Sequence, residues 1–180
     1  MPDLPVYAIV LICLAAVLVI FLLYVAVKPG DFSLTRSAAI AAPPSSVFPH
    51  VNDLHKYQEW SPWATIDPTS KTIYEGPIEG VGAKFTWVGK KTGVGSMTIV
   101  ESTPSSLIRT KLEFLKPMVA TNMVDYIFRT EGDLTIVTCT MTGKNGFMGK
   151  LFTTFMNMDK IVGGRFEKGL ANLKRIVETA

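Results

Sequence analysis

The sequence predicts an α+β fold: a curved antiparallel sheet with two short helices and a long C-terminal helix, preceded by one transmembrane helix. Three observations predict it. An uncharged apolar run fills residues 6–27, short β-rich runs alternate with Gly, Pro and Asn/Asp turns over residues 71–142, and apolar residues recur every three or four positions over residues 149–179. Of 180 residues, 48% are apolar and 18% charged, and the net charge is +3. That is lean in charge for a soluble protein, and the apolar excess is concentrated at the N-terminus.

The run VYAIVLICLAAVLVIFLLYVAV is 22 residues long. As a helix it rises far enough to cross the ~30 Å hydrocarbon core of a bilayer. A cleavable signal sequence would begin with a basic segment and carry an apolar stretch of about 7–15 residues, whereas Asp3 is the only charged residue before this run. Residues 5–28 are therefore expected to anchor the chain in a lipid bilayer, with Tyr7 and Tyr24 near the two interfaces. Lys28 and Arg36 follow the run and no Lys or Arg precedes it, an asymmetry that places the C-terminal domain in the cytoplasm. Cys13 lies in the apolar run and Cys139 in a predicted strand, so no disulfide is expected.

Residues 32–179 are long enough for one domain with a substantial core. After the KPGD break, residues 32–40 read as a first strand. The segment APPSSVFPHVNDLHKYQEW supplies prolines and serines at a helix start, then Val47, Val51 and Leu54 at helical spacing, with a second start at Asn52-Asp53. Two short helices are expected. Strands follow at residues 72–75, 83–88, 95–101, 107–114, 120–129 and 134–142, with GKKTG and TEGD as hairpin connections. The closing segment, residues 149–179, carries Leu151, Phe155, Met158, Val162, Phe166, Leu170, Leu173 and Val177 as one apolar stripe, widened by Phe152, Met156 and Ile161. It is expected as one long helix laid on the concave sheet.

This order, read with VFPHVNDLHKYQEWSPW, GVGAKFTWVG, LEFLKP, MTGKNGFMGKLF and FEKGLANLK, resembles the SRPBCC superfamily, whose START/Bet v 1-like fold is the helix-grip, and in particular its polyketide cyclase/dehydratase-like bacterial branch. The resemblance covers about residues 32–177 and implies a cavity between sheet and long helix, with the anchor outside the family's domain. It also implies a bacterial inner-membrane location. Members range from lipid carriers to cyclases, so fold alone does not give function.

In that fold, Trp60 and Trp63, flanking Ser61-Pro62, lie along the cavity mouth, either closing the core or touching a ligand. Strand alternation turns Phe85, Trp87, Met97, Leu112, Phe114, Tyr126 and Met141 to one face and Lys84, Arg109, Lys111, Glu113, Asp125 and Arg129 to the other. With Tyr74 and Asn122 as polar groups at the rim or inside, and Phe152 and Met156 from the closing helix, these residues form the expected ligand-binding set. Such a lining suits an apolar small molecule or lipid.

Other chemistries find little support. His50 and His55 are five apart with no further ligand, so no metal or cofactor site is expected. Glu59 beside Trp60 would serve as a general base only if burial raised its pKa. The Gly89-Lys90-Lys91 stretch fails the phosphate-loop pattern, and dispersed basic residues with inward aromatics exclude a nucleic-acid platform. From Lys144 onward seven Lys or Arg stand against three acids, a charge that would favour anionic headgroups near a membrane. The expected function is binding of a membrane-derived apolar ligand. The alternatives are an accessory subunit of a larger membrane complex and a cyclase- or dehydratase-like enzyme.

Overall fold

A computed structural model of the chain describes residues 5–179. These residues form two compact units, 5–31 with 145–157, and 32–144 with 158–179.

The first unit is built on helix α1, Val6–Val27. It is the one helix among the described residues that is long and apolar enough to cross a membrane. Pro5 precedes it, where a missing N–H costs nothing, and Lys28 leaves helical geometry with ψ 142°. Helix α5, Phe147–Phe155, packs against its C-terminal end. The rings of Phe21 and Phe155 lie 5.8 Å apart, and Lys150 Nζ donates to Ala26 O at 2.9 Å, supplying a donor to a carbonyl left free at the end of α1.

The second unit holds a seven-stranded antiparallel sheet in the order β1-β7-β6-β5-β4-β3-β2. The strands are β1 Asp31–Ile40, β2 Lys71–Glu75, β3 Lys84–Gly89, β4 Gly93–Thr103, β5 Leu107–Lys116, β6 Ala120–Glu131 and β7 Leu134–Lys144. Six form a sequential meander, and β1 returns to lie beside β7. Irregularities in the β4–β5 register at Val94/Gly95 and Ile99/Glu101 add local twist, which helps the sheet curve. Strand β2 is an edge, and all five of its residues are exposed.

Between β1 and β2 lie α2 (Pro44–Val47), α3 (Pro49–Asn52) and α4 (Leu54–Trp60). Helices α2 and α3 meet at Phe48, which keeps helical angles; Pro49 has no N–H to continue the ladder, so the first expected helix is observed as two single turns. Asp53 caps α4 by accepting from His55 N at 2.8 Å. Val47, Val51 and Leu54 are fully buried in the core, as their spacing predicts.

The closing segment departs from the single helix expected over residues 149–179. Helix α5 ends at Met156, whose ψ of 131° is extended; a π-helical turn follows at Asp159–Gly163, and α6 runs Gly164–Glu178. Thr153 and Thr154 turn their hydroxyls back to Lys150 O, a local alternative to solvation that weakens a helix near its end. At the start of α6, a Cβ on Gly163 would collide with the Arg36 guanidinium, so glycine there permits a close approach of that charge to the backbone. Arg36 pairs with Asp159 at 2.9 Å and Glu167 at 2.5 Å. Helix α6 buries Phe166, Gly169, Leu170, Leu173 and Val177.

Candidate ligand-binding site

The inner face of the sheet can be read as rows across the strands. One row pairs Ile108 with Tyr126 and Tyr126 with Cys139, all at most 2% exposed. The next runs Ile99, Thr110, Val124 and Met141 and is also buried. The third runs Phe85, Met97, Leu112 and Asn122, where Leu112 is only half-buried. The fourth runs Trp87, Gly95, Phe114 and Ala120, with Trp87, Phe114 and Ala120 half-buried. Burial thus falls from one end of the inner face to the other.

The sealed end is closed by α4 and α6. Trp60, at the last position of α4, is 4% exposed, donates Nε1–H to His50 O at 2.8 Å and receives Asn172 Nδ2–H on its carbonyl at 3.1 Å. Its ring meets Tyr57 at 4.7 Å and Tyr126 at 6.1 Å, both edge-on. The Tyr57 and Tyr126 hydroxyls are 3.2 Å apart. The cleft that remains beside them, lined also by Ser61, Pro62, Trp63, Cys139, Arg165, Phe166, Gly169 and Leu170, has a volume of about 10 Å³. That is room for roughly one water. Trp63 is 37% exposed and lies under the Arg165 guanidinium, 4.9 Å from its ring centroid, so a cation–π contact roofs the cleft. Trp60 plugs the core, and Trp63 stands at the rim.

The electrostatics of this cleft follow from its dryness. Burial pushes the Cys139 thiol up to about 12, raises Tyr57 and raises Tyr126 well above the usual phenol range. The thiol stays protonated at neutral pH and offers no thiolate nucleophile. What the trio can do is hydrogen-bond one water or one polar atom of a ligand.

At the half-covered end the lining is aromatic and continuous. Phe85 meets Trp87 at 5.9 Å, and Trp87 meets Phe114 at 5.7 Å. Trp87 Nε1–H donates to Thr92 O at 3.2 Å, so its polar edge is satisfied and its rings are free to pack. Asn122 is 8% exposed and is the polar side chain of the third row; its amide oxygen fills the space beside Gly143, where a Cβ would collide with it and with the Phe32 ring. Tyr74 stacks on His55 at 3.9 Å and touches Phe85 at 6.2 Å. Burial raises its pKa, with the Asp53 charge adding to the shift.

Of the residues read from sequence, Trp60, Phe85, Met97, Asn122, Tyr126 and Met141 are buried, and Leu112, Phe114 and Trp87 line the half-covered end. Tyr74 and Trp63 lie at the rim. Phe152 lies on α5 and Met156 just after it, in the unit built on α1. Glu59 is exposed, which removes the burial a general base there would need. Burial, more than any other cause, lowers the pKa of His50, and among the described residues no group of three or more His, Cys, Asp or Glu could hold a metal. Tyr57 and Arg165 join the site without a motif to mark them; the signal for Tyr57 is that it precedes Trp60 by three positions and shares its helix face. Asp67 is a further buried group, 3% exposed, that accepts from Thr69 Oγ1 at 2.6 Å and Lys91 N at 2.8 Å and ties the loop after α4 to the β3–β4 hairpin.

The fold matches solved structures at low identity. Ara h 8.0201 aligns with a TM-score of 0.60 at 10% identity, over 84% of this chain and 100% of that one. A Chromobacterium violaceum protein aligns with a TM-score of 0.59 at 15% identity, over 84% and 99%. A Rhizobium leguminosarum protein aligns with a TM-score of 0.59 at 13% identity, over 85% and 98%. Such identities establish the helix-grip fold alone. No curated protein matches the chain in sequence. The profile of one family, described as polyketide cyclase / dehydrase and lipid transport, matches residues 31–178, and it is to this family that the chain belongs.

Proposed function

We propose that the chain is a membrane-anchored protein that binds an apolar ligand, a lipid or another membrane-derived small molecule, at the half-covered end of the inner face. The observation that carries this reading is the burial gradient. The end under α6 is packed to a water-sized void, while Trp87, Leu112 and Phe114 keep apolar surface half-exposed where ordinary packing would bury it. A ligand seated there would cover that surface, with Asn122 as a nearby polar anchor. The family's description includes lipid transport, which supports the same ligand class. Helix α1 would fix the site beside its source, with the second unit on the cytoplasmic side as the charges around the apolar run imply.

The test is uptake of a fluorescent fatty acid or phospholipid by the full chain in nanodiscs, followed through tryptophan emission. Leu112→Glu puts a charge into the half-covered end and should weaken binding at least about tenfold, the worth of roughly 1.4 kcal/mol, while Trp63→Ala at the roof of the sealed end leaves it unchanged. Equal affinity in folded Leu112→Glu would overturn the reading. Loss in Trp63→Ala alone would move the site to the sealed end.

A further inference from the structure

Helix α5 is amphipathic with its sides reversed. At 100° per residue Phe147, Met148, Leu151, Phe152 and Phe155 fall within an arc of about 140°, and Lys150, Thr153 and Thr154 fall on the other side. In water the apolar side of such a helix packs on protein and the polar side faces out. Here the polar side is used against α1 and the helix itself: Lys150 Nζ donates to Ala26 O at 2.9 Å, Lys28 Nζ to Thr154 Oγ1 at 3.2 Å, and both threonine hydroxyls to Lys150 O. The apolar side is left open, with Met148 60% and Phe155 74% exposed and Phe147 and Phe152 exposed as well.

Two further observations say what covers it. The open side of α5 is continuous with the flank of α1 through the Phe21–Phe155 contact, and that flank is itself apolar and exposed along its length. The segment Asn145–Asn157 contains no acid, and its one charge, Lys150, meets the last turn of α1. One medium therefore suits both helices: hydrocarbon against the phenylalanines, with the Lys28 and Lys150 ammonium groups at the level of anionic headgroups.

We propose that α5 is a second membrane contact, a helix lying in the plane of the bilayer with its apolar side in the acyl chains beside the end of α1. Nine residues are too few to span a bilayer and enough to lie along its surface. The inference rests on the reading that α1 spans the membrane and goes beyond it, because a lone spanning helix leaves rotation about its axis free, whereas a second contact fixes the face that the first unit turns to the lipid.

The experiment uses the full chain with Cys13→Ala, in which buried Cys139 stays unlabelled, reconstituted into phosphatidylcholine/phosphatidylglycerol vesicles. Bimane is attached at Met148→Cys and Phe152→Cys, with Tyr24→Cys as a reference in α1 and Val100→Cys as a reference on β4, all four positions being exposed. Labels at 148 and 152 should be quenched by lipids brominated on the acyl chain as strongly as the label at 24, and several-fold less by aqueous iodide than the label at 100. Quenching of 148 and 152 by iodide alone, with 24 still quenched by brominated lipid, overturns the role of α5 and leaves the anchor standing. Protection from both quenchers means that protein, a second copy or a partner, covers α5, and likewise overturns it. Loss of lipid quenching at 24 as well removes the anchor reading and this inference with it.

Discussion

Helices α5 and α6 come from one stretch of sequence with one apolar period, yet they use it in opposite ways. Helix α6 buries Phe166, Leu170, Leu173 and Val177 and leaves its charges outside, while α5 buries none of its residues and leaves its phenylalanines outside. Periodicity therefore tells which residues share a face, and only the neighbour tells whether that face is an inside. For α6 the neighbour is the concave sheet. For α5 the polar side has found protein, and the apolar side is left exposed.

Truncation tests the contrast most strongly. Leu173 is fully buried, so Leu173→Ala should cost about 2–5 kcal/mol, read as a lower midpoint in urea unfolding of the full chain in detergent micelles. Phe155→Ala on α5 should change the same midpoint by less than about 0.5 kcal/mol. Equal losses would mean that α5 is core after all.

A second test reads how dry the space under α6 is. Tyr57, Tyr126 and Cys139 all ionise less readily in the folded chain than in the unfolded one. Between pH 9 and 12 the folded state therefore holds more protons than the unfolded state, and stability falls as pH rises through that window. Cys139, pushed up to about 12, should contribute visibly, so Cys139→Ala should flatten the alkaline limb of a stability–pH curve. A limb of unchanged steepness would show that the thiol is solvated.

A reference away from both helices is Asp67. Its hydrogen bonds, led by that from Thr69, hold its carboxyl at about 2 against an ordinary 3.8. With a depressed folded pKa, its contribution is complete above about pH 4 and is lost as pH falls toward 2. Asp67→Asn should flatten the acid limb and leave the alkaline one untouched. The smallest effect is expected from Tyr57→Phe, which removes the hydroxyl pair at the sealed end for about 1 kcal/mol and, if binding is at the other end, leaves ligand affinity as it was.

Most of the second unit was legible because strands declare themselves twice, by alternation and by the turns between them. Phe85 and Trp87, or Tyr126 and Phe128, could be assigned inward on parity alone. Parity gives direction and not depth, however, so the fall in burial from Cys139 to Trp87 was invisible in the sequence. Arg36 was hidden for a related reason: a charge on the inward parity of β1 reads as an exception until its partners Asp159 and Glu167, more than 120 residues away in the chain, are in place. The break before α6 left faint marks, Thr153-Thr154, Asn157 and Gly163-Gly164, which the continuing period of Phe, Met, Val and Leu outweighed. Asp67 carries no mark in the sequence, because its partner Lys91 belongs to a distant hairpin.

The exposed edge formed by β2 bears on how copies of this chain tolerate crowding. An open edge presents backbone donors and acceptors to any strand that passes, a second copy of this chain included. Strand β2 offers only the five residues Lys71–Glu75 for such pairing. Gly76, at φ 78°, turns the chain away directly after them, and Glu75 is drawn back within the sheet by Lys84 at 2.7 Å. The ribbon that two such edges could zip together is therefore short and charged at both ends, and the sheet is protected against growing from one molecule into the next.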